Sequence, residues 1–303
     1  MTKNIDVNVH MNSLHSKRDS SLGRVVLSRY KKILSNVDTQ QFWDENSFDL
    51  QNVDIFSNSS LETKKRIIFE NCQDRVEEAF HIEKSGMAYG AKMTLLSETL
   101  DERILYGTFT GDESRHFQLV SKYIQRDSIS AEGNPFLQLL GSMIETAPKK
   151  SLVFMIQVLL EGWGMDHYNS MAKSCLNTSL KEDLSSILAD EASHHGSGLI
   201  LFDEKSLSKE DHDYIKLSLD SFLSMVQCGP LSVFNRVNES VKGLDENNKR
   251  TILTQMNAMS STQAKLDQLV SLMKKSGADE LLSDMESKGR TKTFDIDQML
   301  SIA

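Results

Sequence analysis

Proline, cysteine and glycine are all scarce in this chain. Its 303 residues include only 3 Pro, 3 Cys and 15 Gly. Proline breaks helices and glycine weakens them, so their scarcity favours long helices. The three cysteines, Cys72, Cys175 and Cys228, are odd in number and share no C-x-x-C spacing, which argues against a disulfide framework and a zinc knuckle. We therefore expect reduced, mostly buried thiols.

Long apolar runs and clusters of positive charge are also missing. The longest apolar stretch, "LVFMIQVLL" at 152–160, is interrupted by Gln157 and falls well short of the roughly 20 residues that span a bilayer. The N-terminus has no apolar signal core. A net charge of -9 without a basic stripe argues against a nucleic-acid surface. We expect a soluble, cytoplasmic protein that binds neither membrane nor nucleic acid.

Helical periodicity dominates the sequence, and no strand period or glycine-rich phosphate loop stands out. A polar leader over 1–24 precedes a short helical pattern near 25–36, and "EGNP" at 132–135 indicates a turn. The long predicted helices cover 60–99, about 101–125, about 149–175 and about 180–203, and further patterns lie at 208–226, 246–275 and 277–287. These patterns predict three regions: a leader with a packing helix (1–60), a bundle core (61–205) and C-terminal packing helices (206–303).

One acidic-histidine motif occurs twice in the predicted core. "GDESRHFQLV" at 111–120 and "ADEASHHGSG" at 189–198 both contain Asp-Glu-x-x-His, offset by 78 positions. In each half a lone glutamate precedes the motif's glutamate by 30 positions. The same offset aligns Glu83 with Glu161, Gly86 with Gly164, Met87 with Met165, Met93 with Met171, Asp112 with Asp190, Glu113 with Glu191 and His116 with His194.

This repeat has the composition of a metal site. Residues three apart lie on one helix face, so a Glu-x-x-His pair can bind one ion. Four helices that contribute Glu, Glu-x-x-His, Glu and Glu-x-x-His supply the ligands of a di-iron or di-manganese carboxylate site. The predicted ligands are Glu83, Glu113, His116, Glu161, Glu191 and His194. We expect them to hold two iron ions that activate dioxygen, with manganese as the open alternative.

A single Glu-x-x-His is weak evidence, and Glu78-x-x-His81 is a third example. The signal lies in the shared motif, the equal offset and the matching lone glutamates. The alternative, solvated glutamates with incidental histidines, leaves unexplained why Glu161 ends the most apolar helical stretch.

On these motifs, the segment of about 62–205 resembles the ferritin-like di-iron carboxylate proteins. "DESRH" and "DEASHH" are closer to the oxygen-activating branches, namely bacterial multicomponent monooxygenases, arylamine N-oxygenases and aldehyde-deformylating oxygenases, than to storage ferritins. The resemblance implies an all-α, ferritin-like four-helix bundle with additional N- and C-terminal helices.

The resemblance also implies roles for residues beside the ligands. In the monooxygenase branch the Asp before the ligand Glu hydrogen-bonds the opposite histidine, so Asp112 is expected to contact His194, and Asp190 to contact His116. The Arg of that pattern is present as Arg115, whereas the matching position is Ser193. The extra histidine of the arylamine N-oxygenases is replaced by Ile187, so the seven-ligand version of the site is not expected.

Other polar residues near the motifs have simpler interpretations. His195 is rotated by about 100° from His194 and is expected to contact a neighbouring helix or the pocket rim. His81 is expected at the surface, and Asp166 and His167 in a polar core or at the surface. Tyr89 and Tyr168 are expected to be packed phenols, with a radical tyrosine as the alternative.

Four glycines lie near the lone glutamates: Gly86, Gly90, Gly162 and Gly164. They either admit substrate or let helices approach closely, and the sequence leaves both readings open.

The leading functional hypothesis is a non-haem di-iron oxygenase that hydroxylates or N-oxygenates a small organic substrate, in the setting of a biosynthetic pathway. No flavin, nicotinamide or four-cysteine cluster motif is present, so an external electron donor such as a ferredoxin or reductase is expected. Long amphipathic bundles often dimerise, which makes a homodimer an open expectation. The alternative functions are a ferroxidase or iron-handling protein, and a scaffold with a vestigial site.

Overall fold

The structure, a computed structural model, describes residues 18–30, 41–126 and 134–303. Most of the predicted leader lies outside the described residues. The predicted helix near 25–36 and the predicted turn at 132–135 lie partly outside them. Every regular element of the described ranges is helical, so the prediction of an all-α fold is confirmed there. Within the same ranges, no helix combines the length and the apolar character needed to cross a bilayer.

Contacts between Cα atoms divide the chain into two compact units. The first unit comprises Met1–Thr39 and Arg75–Leu152, and the second comprises Gln40–Asp74 and Val153–Ala303. The longest helix, α3 (Leu61–Leu96), contributes residues up to Asp74 to the second unit and the rest to the first.

The first unit is built from α1 (Ser21–Arg29), the part of α3 from Arg75 onward, α4 (Leu100–Ser121), α5 (Pro135–Thr146) and α6 (Lys149–Leu152). Thr99 caps α4 by accepting a hydrogen bond from the Glu102 N–H at 3.1 Å. Lys92 on α3 donates hydrogen bonds to the carbonyls of Ile144, Glu145 and Ala147 at the end of α5. These bonds satisfy carbonyls that a helix C-terminus leaves without intrahelical donors.

The second unit contains the remaining helices. They are α2 (Asp54–Ser57), the start of α3, a π-helix (Val153–Leu160), α7 (Glu161–Ser174), α8 (Thr178–Leu201), α9 (Lys209–Gln227), α10 (Leu231–Ser240), α11 (Glu246–Gln255), α12 (Ala258–Lys275), α13 (Asp279–Ser287) and α14 (Ile296–Ile302). Short 3-10 turns lie at Glu45–Phe48 and Glu204–Ser206. The π-helix and α7 pack against α8, and α9 packs against α12 and α13.

Buried and half-buried polar contacts tie the segments of the second unit together. The Trp43 indole N–H donates to the Met171 carbonyl at 2.9 Å. Arg236 on α10 makes a two-pronged hydrogen bond to the Asp74 carboxylate at 2.6 and 2.8 Å, which raises the pKa of the guanidinium. A fork of this kind fixes direction as well as distance.

The structure differs from the sequence-based expectation at several places, including the helices α2, α10 and α14, which were not expected. The helix expected over 149–175 is continuous but changes to π geometry over Val153–Leu160. The pattern at 246–275 is two helices, because Asn257 takes a left-handed conformation at φ 52° and ends the first. The helix α5 was not expected, although Asn134 caps it and Pro135 fills its first position.

Candidate metal centre

The first unit brings together three of the predicted ligands. Glu83 projects from α3, and Glu113 and His116 project from one face of α4. His116 Nδ1 lies 3.3 Å from Glu83 Oε2 and 4.0 Å from Glu113 Oε2. The exposed fractions are 1% for Glu83, 6% for Glu113 and 0% for His116. One ligand atom from each residue lies within 4.8 Å of the others, a spacing that a metal ion can bridge. We call these residues the first triad.

The second unit contains the matching set. Glu161 is the first residue of α7, and Glu191 and His194 lie three residues apart on α8. His194 Nδ1 is 3.7 Å from Glu191 Oε2, and one ligand atom from each of the three residues lies within 4.8 Å of the others. Glu191 and His194 are buried, whereas Glu161 is half-buried. We call these residues the second triad.

The composition of both triads suits a transition metal. Burying carboxylates is costly unless they are paired, protonated or bound to a cation, and two neighbouring carboxylates repel each other. Carboxylate oxygen and imidazole nitrogen together are ligands for iron, manganese or zinc. None of the three cysteines belongs to either triad. Each triad therefore has the donor atoms that the sequence repeat predicted for one ion.

A glycine makes room for the Glu113 carboxylate. A Cβ atom built on Gly86 would lie 2.2 Å from Glu113 Oε2. One turn further along α3, a Cβ atom on Gly90 would lie 2.7 Å from Thr110 Oγ1 and 3.0 Å from the Thr110 backbone nitrogen. The structure thus favours close helix packing over substrate access for both residues. Gly164, by contrast, has no such neighbour within 4 Å.

The π-helix leads directly into Glu161. Its residues Val153 to Leu159 are all buried, and Glu161 follows Leu160 at the start of α7. A π-helix has wider turns with i→i+5 hydrogen bonds, and such segments are frequent at functional sites. The apolar run predicted a buried helix here, but an all-apolar stretch carries no signal that separates π from α geometry.

Gln157 is a candidate functional residue, although the sequence analysis identified it only as a polar interruption of the apolar run at 152–160. It is fully buried in the π-helix, and its Nε2 donates to the His194 carbonyl and the Ser197 hydroxyl, each at 3.2 Å. His195 Nδ1 lies 3.0 Å from the Gln157 carbonyl. The expectation that His195 contacts a neighbouring helix is therefore confirmed.

His81 corrects one expectation. It was expected at the surface, but it is 3% exposed, and neither ring nitrogen has a hydrogen-bond partner among the described residues. Burial, followed by the nearby Lys84 charge, lowers the pKa of His81 to about 4. The imidazole is therefore neutral at neutral pH. The reason for the error is that α3 buries more than one face here, since Glu83 and Ser85 are buried as well.

The other named side chains occupy less specialised positions. Asp112, Arg115 and Asp190 are half-buried, and the contacts expected of Asp112 with His194 and of Asp190 with His116 stay predictions. Asp166 and His167 are exposed, as the surface reading expected. Tyr89 and Tyr168 are buried, which fits packed phenols, and the Tyr89 ring meets Tyr106 edge to face at 6.2 Å.

Comparisons with protein-family models, with curated proteins and with solved structures found no match for this chain. A metal centre is therefore indicated by the two triads and by the sequence repeat that contains them.

Proposed function

We propose that this protein is a non-haem di-iron oxygenase in which the two triads hold a pair of iron ions. The observation that carries the proposal is the pair of Glu, Glu-x-x-His triads, one in each unit, with both histidines and three of the four carboxylates buried. Four carboxylates and two imidazoles are the ligand set of di-iron and di-manganese carboxylate proteins.

The chain would contribute binding and orientation, while bound iron would supply dioxygen activation and the redox chemistry. Glu113 with His116 and Glu191 with His194 would each present one carboxylate and one imidazole from a single helix face. Metal-bound imidazoles usually donate their other N–H to an acceptor that fixes the ring. Asp112 and Asp190 are the proposed acceptors, on the strength of the resemblance.

The proposed reaction inserts oxygen into a small organic substrate, by hydroxylation or N-oxygenation. The resemblance to the oxygen-activating branches supports this reaction class, and a biosynthetic role is proposed with it. The same resemblance supports an external electron donor such as a ferredoxin or reductase. The sequence supports it independently, because it shows no motif for a flavin, a nicotinamide or a four-cysteine cluster.

Metal stoichiometry tests the core of the proposal. Metal-free protein would be loaded with ferrous iron under anaerobic conditions, desalted and analysed for iron. We expect two iron ions per chain in the wild type and fewer in Glu113→Ala and Glu191→Ala. The matched control is Glu78→Ala, which removes the glutamate of the third Glu-x-x-His from the same helix that carries Glu83. One iron per chain, or equal loss in the control, would contradict the dinuclear site.

Oxygen consumption separates an oxygenase from an iron-handling protein. An oxygenase couples oxygen uptake to product formation from an organic substrate, whereas a ferroxidase consumes oxygen in proportion to added ferrous iron alone. Size-exclusion chromatography adds an independent criterion, because storage proteins assemble into large shells. A large shell with iron-dependent, substrate-independent oxygen uptake would favour the iron-handling alternative.

A further inference from the structure

The π-helix and α8 exchange hydrogen bonds beside the second triad. Gln157 is the only polar residue in Val153–Leu160 and is fully buried. Its side-chain Nε2 donates to the His194 carbonyl and to the Ser197 hydroxyl on α8, each at 3.2 Å. A buried amide in an apolar segment is costly unless it is hydrogen-bonded, so these contacts fix where the segment lies along α8.

In a second contact, the donor lies on α8 and the acceptor lies on the π-helix. His195 Nδ1 on α8 lies 3.0 Å from the Gln157 backbone carbonyl. A carbonyl oxygen only accepts, so His195 must carry its proton on Nδ1. Gln157 thus donates through its side chain to His194 and Ser197 and accepts through its backbone from His195.

Two glycines allow these contacts. A Cβ atom on Gly162 would lie 2.7 Å from His195 Cε1 and 2.9 Å from His195 Nδ1, so only glycine leaves room for the imidazole there. Gly162 follows Gln157 by five residues and is the second residue of α7. On α8, a Cβ atom on Gly198 would lie 2.6 Å from Gln157 Cβ. The small residues therefore lie where the two segments exchange hydrogen bonds.

We propose that Gln157, His195 and Gly162 form a positioning lock for the second triad. The lock rests on the proposed metal-binding function and assigns these residues a role in it. Glu161 follows Gln157 by four residues at the end of the π-helix, and His194 adjoins His195, so each side of the lock is next to a proposed ligand. Sliding one segment by a single residue, about 1.5 Å, would break both contacts. The lock thereby holds Glu161 and His194 in register.

The test is a titration of the metal-free full-length chain with Co²⁺, followed by its visible absorption, which reports coordination geometry. His195→Phe keeps a ring and removes the Nδ1 donor, while Gly162→Ala displaces the ring. Loss of residues that orient metal ligands typically weakens binding by about 10- to 100-fold. We expect at least about a tenfold loss of Co²⁺ affinity in the second triad for both variants, with an altered spectrum at saturation.

Two matched variants exclude a general packing effect. Gly164→Ala lies on the same helix with no neighbour within 4 Å and should bind Co²⁺ as the wild type does. His195→Asn places an amide donor near the position of Nδ1 and should restore most of the affinity and the wild-type spectrum. Circular dichroism of the metal-free variants provides the check on folding.

Each outcome supports or rejects the lock. Wild-type affinity and spectrum in His195→Phe would overturn it, and so would equal losses in His195→Asn and His195→Phe. A wild-type chain that binds no Co²⁺, Fe²⁺ or Mn²⁺ would instead reject the proposed function itself. The two failures are thus distinguished by the behaviour of the unmodified protein.

Discussion

Gly86 leaves space for the proposed ligand Glu113 because glycine has no side chain. The Glu113 carboxylate occupies the volume that a Cβ atom on Gly86 would require, at 2.2 Å from Oε2. The end of a glutamate side chain can rotate away without moving the backbone, so an alanine there would cost little packing energy. The position of the ligand atom is therefore more sensitive to Gly86 than the stability of the fold is.

Gly86→Ala should separate metal binding from stability. The added methyl group displaces the Glu113 carboxylate, and we expect about a tenfold or greater loss of metal affinity in the first triad. Alanine is also the better helix former by about 1 kcal/mol, so the melting temperature should change little or rise. Isothermal titration with Mn²⁺ and thermal unfolding of the metal-free protein measure the two effects.

The control is Gly107→Ala on α4, where no such neighbour lies within 4 Å of the built Cβ atom. It should stabilise the helix by about 1 kcal/mol and leave metal affinity unchanged. Unaltered metal binding in Gly86→Ala would show that the Glu113 carboxylate does not act as a ligand from the position seen here.

His81 raises a different question at the residue scale, because its two ring nitrogens are buried without hydrogen-bond partners among the described residues. An unsatisfied buried polar group costs about 1–3 kcal/mol. His81→Leu should therefore increase the free energy of unfolding by about 1–2 kcal/mol, as measured by urea denaturation of the metal-free protein.

His167→Leu, at an exposed position, is the reference substitution and should change stability by less than about 0.5 kcal/mol. A destabilised His81→Leu would indicate that the imidazole has a polar partner in solution, such as a bound water molecule.

At the scale of elements, the sequence predicted the long helices well because their apolar spacing and caps are local. The start of α3 illustrates this, since the Ser60 hydroxyl accepts a hydrogen bond from the Thr63 N–H. The repeat also predicted that Glu113 lies beside His116 and Glu191 beside His194, because Glu-x-x-His geometry depends only on helical period.

The features that sequence reading missed depend on context. The π geometry of Val153–Leu160 has no signature in an all-apolar run. The break at Asn257 depends on a left-handed conformation that asparagine tolerates but does not require. The burial of His81 arises because α3 is covered on more than one side, whereas the prediction assumed a single buried face. Each of these is decided by packing rather than by local propensity.

An ion-pair network connects the start of α6 to the region around the start of α4. Lys149 Nζ lies 2.7 Å from Glu102 Oε2 and 3.2 Å from Glu98 Oε1. Burial opposes ionisation of the Glu102 carboxyl, but the hydrogen bonds from Lys149 and from the Glu98 N–H outweigh it and lower the pKa of Glu102. Burial likewise disfavours the Lys149 ammonium, and its two hydrogen bonds overcome this and raise the pKa of Lys149.

Lys149→Met should reduce the free energy of unfolding by about 1 kcal/mol at pH 7. Because the Glu102 pKa is lower in the folded protein, the stabilisation is present above the ordinary value of 4.5 and is lost as the pH falls through the lowered pKa. Urea denaturation from pH 3 to 8 should show the wild type and the variant converging at the acid end. The exposed neighbour Lys150→Met is the control and should show a smaller difference. A pH-independent difference would assign the effect to packing of the lysine stem.

At the scale of the whole molecule, the sequence repeat places one triad in each of the two units, and the two triads have different surroundings. The first triad is packed against Gly86, whereas the second triad adjoins the Gln157 contacts. The sequence offset pairs Gly86 with Gly164, but on α7 the glycine at a close contact is Gly162. The two triads therefore have matching side chains, but the residues packed around them differ.

Sustained turnover should require an electron donor from outside the chain. Inserting one oxygen atom of O2 and releasing the other as water takes two electrons from the substrate and two from a donor. We expect many product molecules per chain when a ferredoxin with its reductase is supplied, and at most one without it. Chromatographic quantification of product against time measures this. Multiple turnovers with oxygen and substrate alone would reject the reductase-dependent model in favour of an oxidation in which the substrate supplies all electrons.

The placement of the three thiols bears on how the protein would withstand the proposed oxygen chemistry. Cys72 and Cys175 are buried, and burial raises the pKa of Cys175 and of the half-buried Cys228. Oxidants attack thiolates far faster than protonated thiols, and they need access to the sulfur. Ferrous iron and dioxygen together generate reactive oxygen species during idle cycles. A chain with few cysteines, two of them buried and two with a raised pKa, would lose little of its population to sulfenic acids or mixed disulfides over a long working life.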